Sequence, residues 1–163
     1  MTPIIVVDDS REDIALVTRV LGQCGVRNPV FPIVSGQECI SYFERPDARA
    51  RGAVPCLVLL DLSMAPKSGI DVLRHLTASP SADWRDSVFV MLSGVSDYSI
   101  VREGYQLGAT TFLTKPLQSD EFMAMLKSVR RLHLEPRSDG FEVGCVPQMK
   151  DCAALSSNSN RRM

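Results

Sequence analysis

Short apolar runs that do not alternate with polar residues set the strongest limit on how this chain can fold. Residues 4–7 (IIVV), 57–60 (LVLL) and 88–92 (VFVML) are apolar at every position. A strand with one face in water alternates, so an unbroken run needs cover on both faces, as in a parallel sheet between two layers of helices. Weaker runs at 30–34 and 110–113 complete a set of five, and helical stretches fill the gaps at about 12–23, 36–44, 69–78, 96–107 and 118–133. Ser10, Ser35 and Ser96 stand where helix caps belong. In the last helical stretch Phe122, Met125, Leu126, Val129 and Leu132 form one apolar stripe. Gly104, inside the fourth, costs about 1 kcal/mol relative to alanine and marks that helix as loosely held. The order βαβαβαβαβα predicts an α/β fold: a single doubly wound five-stranded parallel sheet flanked by five helices.

At 163 residues the chain has room for one domain of this kind, residues 1–133, and an extension, residues 134–163. Pro136, Gly140, Gly144 and Pro147 interrupt the pattern after Leu134, which predicts a flexible extension with room for a short helix around residues 149–155. No second substantial globular unit is expected to fit, so any output is expected to come from a partner or from the extension. Lys and Arg total 18 against 19 Asp and Glu, a net charge of −1 that gives no overall attraction to nucleic acid or an acidic membrane. The run at residues 4–7 is too short for a signal peptide, and no run is long enough to span a bilayer. Five cysteines without a CxxC pair, an odd number, read as reduced cytoplasmic thiols.

A doubly wound sheet binds ligands beyond the carboxyl ends of its strands. Asp8 and Asp9 follow the first run, Asp61 the third, Ser93 the fourth and Lys115 the fifth. Three carboxylates on one rim repel unless a cation lies between them, and an all-oxygen set suits Mg²⁺. The backbone carbonyl of Ser63 is placed to complete the protein's share of that shell, and Gly94 leaves space beside Ser93. With Lys115 and Ser93 stabilising the equatorial oxygens, Asp61 is the nucleophile expected to take a phosphoryl group.

The pieces IIVVDDS (4–10), LVLLDLSMAPKSG (57–69), VFVMLSG (88–94) and GATTFLTKP (108–116), in this order and spacing, resemble the receiver domain of bacterial two-component response regulators over roughly residues 3–133. The resemblance implies a flavodoxin-like receiver fold. It makes Asp61 the phosphoacceptor, with Asp9 and Asp61 ligating Mg²⁺ directly and Asp8 through water. Ser93 becomes the hydroxyl that moves toward the phosphoryl group, Lys115 the site lysine and Phe112 an aromatic switch, although an aromatic in a strand is ordinarily core. Pro116 would follow a cis bond, and Gly69 keeps its usual place. One position departs from the pattern: Ala65 stands four residues after Asp61, where proline is usual, and Pro66 follows it. The stretches 42–55 and 79–87 resemble the enlarged loops of small stand-alone regulators associated with bacteriophytochrome-type histidine kinases.

The function so implied is a phosphorylation-controlled signalling module without an output domain. It takes its phosphoryl group from a histidine kinase or histidine phosphotransfer protein and catalyses only its own phosphorylation and slow dephosphorylation. Its output surface is expected to be the fourth helix, fifth strand and fifth helix, acting through a homodimer, with no direct nucleic-acid or membrane contact. Two other readings stay open. One is a binding module that keeps the fold but works without phosphorylation. The other is a phosphatase with an aspartyl-phosphate intermediate, for which Ser63 stands where a general acid would be wanted.

Overall fold

The computed structural model describes residues 1–45, 54–80, 83–94 and 97–148. The run at 4–7 forms β1 (Ile4–Val7), every residue buried, with parallel partners on both sides: β2 (Val30–Ile33) and β3 (Leu57–Asp61). Next to β3 lie β4 (Val88–Ser93) and then β5 (Thr111–Thr114), giving the order β2-β1-β3-β4-β5. Five helices connect and flank the sheet: α1 (Arg11–Gln23), α2 (Gly36–Glu44), α3 (Gly69–Ala78), α4 (Tyr98–Gln106) and α5 (Ser119–Ser128). The expected fold is the observed one.

Two cores explain why the strands do not alternate. On one face Ile4, Val6, Leu57 and Leu59 pack with Val17 and Leu21 of α1 and Phe122 and Leu126 of α5. On the other, Ile5, Val7, Val58 and Leu60 pack with Ile40 of α2 and Val72 and Leu73 of α3. Ser10 and Ser35 cap α1 and α2, each accepting a first-turn amide. Asp97 caps α4, and Ser96 lies outside the described residues.

The chain after α5 differs from expectation. The helix predicted to reach residue 133 ends at Ser128, and the extension expected to be irregular opens with an antiparallel hairpin, β6 (Leu132–Arg137) and β7 (Gly140–Cys145). Val129 and Leu132 stay in the core of the α1–α5 face although neither is helical, so an apolar stripe at helical spacing runs straight through the end of the helix. Pro136 sits in a strand of a two-stranded sheet, where a missing N–H is tolerated.

The hairpin docks at the amino ends of the parallel strands. Arg27 N–H donates to the Phe141 carbonyl (2.9 Å) and Phe141 N–H to that of Gly25 (2.8 Å). The buried Asn28 amide donates to Val143 O (2.9 Å) and Thr2 O (2.8 Å), and its Oδ1 accepts Val143 N–H (2.8 Å). The short helix expected around residues 149–155 lies outside the described residues.

Candidate functional site

β1 lies between β2 and β3, so the chain winds in opposite directions from it, and the crevice at the carboxyl ends of β1 and β3 is where such sheets hold ligands. Asp8 and Asp61 meet there. Asp8 is 2% exposed and Asp61 3%. One Asp8 oxygen is fixed by the turn into α1, Oδ1 accepting Ser10 N–H (2.9 Å). Asp61 Oδ1 accepts Ser63 N–H (3.3 Å), which holds the carboxylate against its own loop. Asp9 is exposed beside them, and one oxygen from each of Asp8, Asp9 and Asp61 lies within 4.8 Å of the others. An all-carboxylate group of this kind fits a hard divalent cation.

Lys115 follows β5 and reaches across the sheet end. Its Nζ lies 2.7 Å from Asp8 Oδ2, 3.2 Å from Asp61 Oδ1 and 3.0 Å from Asp13 Oδ2. Its backbone N–H donates to Ser93 O (2.9 Å), which ties the ends of β4 and β5 together behind the side chain. Burial pushes the Asp61 carboxyl above the usual carboxylate range and the Asp8 charge adds to this, while Lys115 opposes it. Burial works against the Lys115 ammonium, but hydrogen bonds to Asp8 and Asp13 and the charge of Asp61 carry its pKa above the ordinary lysine value.

The remaining expected residues surround this group. Ser93 is buried at the end of β4, and Gly94 is exposed, with open space where a Cβ would stand. Gly69 has no such room: a Cβ there would lie 2.6 Å from the Asp61 carbonyl oxygen and 2.6 Å from Met91 Cε, so glycine lets α3 start directly against the Asp61 backbone. The Lys115–Pro116 peptide bond is cis, and so is Ala65–Pro66 in the loop where the sequence departs from the receiver pattern. Phe112 is half-buried on β5, its ring 5.3 Å from that of Tyr105. Phe112, Ser93 and Gly94 line a common cavity of about 190 Å³. The Ser63 N–H faces Asp61 as described.

Sequence reasoning missed Asp13. It lies in the first turn of α1, where an acidic residue is an ordinary favourable partner for the helix dipole, so nothing local marked it.

Residues 4–127 match the response regulator receiver domain family. The cell cycle transcriptional regulator CtrA of Caulobacter vibrioides is 30% identical over 105 residues, 64% of this chain but 44% of CtrA, so the chain spans less than half of that relative's length. Among solved structures, the bacteriophytochrome response regulator RtBRR superposes with a TM-score of 0.68 at 28% identity, over 86% of each chain. The Mn²⁺-bound form of response regulator Rcp1, a protein of Synechocystis sp., superposes with a TM-score of 0.61 at 25% identity, over 77% of this chain and 88% of that one.

Proposed function

Because the chain belongs to the response regulator receiver family, and with it to two-component phosphorylation-dependent signalling, we propose that Asp61 is the residue that accepts the phosphoryl group. The observation that carries this is the bridge made by Lys115 between Asp61 and Asp8 at the sheet's carboxyl end. A carboxylate oxygen of Asp61 attacks the phosphorus of a phosphohistidine on a kinase or phosphotransfer protein. The P–O bond forms as the P–N bond breaks, and the electron pair leaves on the imidazole nitrogen. Lys115 and Ser93 meet the negative charge spread over the phosphoryl oxygens.

The carboxylates of Asp9 and Asp61, the Ser63 carbonyl and Asp8 through water are the groups that would hold Mg²⁺. Three carboxylates contact the one ammonium and Asp9 lies beside two of them, an excess of negative charge that a divalent ion would offset. When bound, the ion neutralises charge on the transferring group.

The output surface is α4, β5 and α5, acting through association with a second copy. In its support, Gly104 is the only buried residue of α4 among the described residues, and Tyr98 is 86% exposed. Phe112 of this face and Ser93 line one cavity, which supports a link between them. A cytoplasmic location and a kinase partner of the bacteriophytochrome-associated kind are part of the same reading. Among the described residues no helix is long and apolar enough to cross a membrane.

Intact mass after incubation with a small phosphodonor and Mg²⁺ tests the central step. One phosphoryl addition is expected in the wild-type chain and none in Asp61→Asn. Equal incorporation by the variant would remove Asp61 from the role.

A further inference from the structure

Resting on the phosphoacceptor reading of Asp61, we propose that Asp13 is a positioning residue: with Asp8 it holds the Lys115 ammonium by two hydrogen bonds so that its charge stays beside Asp61. A lysine ammonium carries three donors on a flexible stem, and by itself it is a mobile point charge. Here the three donors have three carboxylate oxygens around them, Asp8 Oδ2 at 2.7 Å, Asp13 Oδ2 at 3.0 Å and Asp61 Oδ1 at 3.2 Å. The two shorter contacts come from groups that do not react, and the longest is to the nucleophile.

Ser10 fixes the two holding groups relative to each other. Its backbone N–H donates to Asp8 Oδ1 (2.9 Å), and its hydroxyl accepts the backbone N–H of Asp13 (3.3 Å). Asp8 is buried at the end of β1, so it cannot follow a moving lysine. Asp13 approaches from the first turn of α1, on a side chain that is 41% exposed. The ammonium is thus held between a strand end and a helix start. Asp13 is also separate from the carboxylates that gather as a candidate cation group, Asp8, Asp9 and Asp61.

This arrangement matters when the charge on Asp61 moves outward onto a phosphoryl group. Asp8 and Asp13 keep two donors, and the ammonium stays 3.2 Å from Asp61 Oδ1, beside the charge that changes. A catalytic group held in its reacting geometry avoids the cost of finding that geometry during the reaction. Without Asp13 the ammonium is held at one fixed point and can swing about it. A first-turn carboxylate serving only the helix dipole would contribute to stability but not to rate.

The test compares the full chain with Asp13→Asn, which keeps the backbone cap on Ser10, and with Asp13→Glu. In metal-free protein, acylation of Lys115 by an amine-reactive reagent, followed by peptide mass mapping, should be at least about threefold faster in Asp13→Asn and return toward wild type in Asp13→Glu. With acetyl phosphate and saturating Mg²⁺, the maximal rate of phosphoryl incorporation should fall by about tenfold in Asp13→Asn, equivalent to about 1.4 kcal/mol. The donor concentration at half-maximal rate and the Mg²⁺ affinity should stay within about twofold of wild type.

Wild-type incorporation and wild-type Lys115 labelling in Asp13→Asn would overturn the assignment. So would a loss of Mg²⁺ affinity that matches the loss of rate, because Asp13 would then act on the cation. If the wild-type chain takes up no phosphoryl group, the reading of Asp61 fails and this one with it. If the wild type takes it up and Asp13→Asn does so equally fast, the role of Asp13 alone fails.

Discussion

The Asp61 carboxylate is held in place at a cost to the resting fold. Its carboxyl is buried beside Asp8, and burial first, then the Asp8 charge, raises its pKa in spite of Lys115. A raised carboxyl pKa means that the folded state binds more protons than the unfolded chain in that range, so stability falls as pH rises from the ordinary carboxylate range through the folded value. Above that value the penalty is fully present. In metal-free protein at pH 7, Asp61→Asn should therefore raise the melting midpoint by about 2–4 °C, the shift that about 1 kcal/mol produces in a chain of this size. The gain should shrink as pH falls through the raised folded value toward the ordinary carboxylate range, where Asp61 takes up its proton. Mg²⁺ should raise the midpoint of the wild type more than that of the variant, since binding to the folded state alone is stabilising. A variant that melts lower at pH 7 would show that the Lys115 contact outweighs burial and Asp8. At this scale the principal groups were legible because each follows an apolar run directly: Asp8 and Asp9 after β1, Asp61 ending β3, Lys115 after β5. Asp13 was not, because its role exists only once Lys115, 102 residues away, folds over it.

Among the elements, α4 and β5 meet at a glycine. The sequence suggested that Gly104 weakens α4 through helix propensity, worth about 1 kcal/mol against alanine. The structure shows a second effect of opposite sign: a Cβ at 104 would lie 2.5 Å from Phe112 Cζ and 3.0 Å from Cε2. Overpacking of this kind costs about 1–3 kcal/mol. Contact therefore outweighs propensity, and Gly104→Ala should lower stability in denaturant titration while displacing the Phe112 ring from Tyr105. In a Phe112→Leu background the clash is gone, and the same substitution should stabilise by up to about 1 kcal/mol. An alanine variant more stable than wild type with Phe112 present would mean that the ring yields without cost. The two ends of the sequence differ in how readily their elements were read. β1, β3 and β4 announce themselves because both faces are covered and no polar residue intervenes. The end of α5 does not, since Val129 and Leu132 keep helical phase while the backbone has already left the helix. The hairpin is set by Asn28, 115 residues before its partner Val143, and no local pattern carries that pairing.

For the molecule as a whole, the question is where the folding unit ends. The family match stops at residue 127 and the sequence pattern places a boundary at 133, yet β6 and β7 continue the same core. Val143 is fully buried and shares a cluster with Ile4 and Leu57, so the hairpin covers the amino ends of the central strands. Both ends of the Asn28 amide bond to the Val143 backbone, and removing the hairpin would break both bonds and open this end of the sheet to water. Burying one valine is worth about 1.5–3 kcal/mol, and each hydrogen bond exchanged for water about 0.5–1.5 kcal/mol. We therefore place the end of the cooperative unit after Cys145. A chain ending after residue 133 should be less stable than one ending after residue 148 by at least about 3 kcal/mol in urea titration. Asn28→Ala in the full chain should reproduce about 1–3 kcal/mol of that loss, because it leaves the Val143 N–H and carbonyl unsatisfied. The hairpin lies at the end of the sheet opposite Asp61, so metal affinity and phosphoryl incorporation should survive in any variant that remains folded. Equal stability of the two shortened chains would show that the hairpin rests on the domain without belonging to it, and would return the boundary to residue 133.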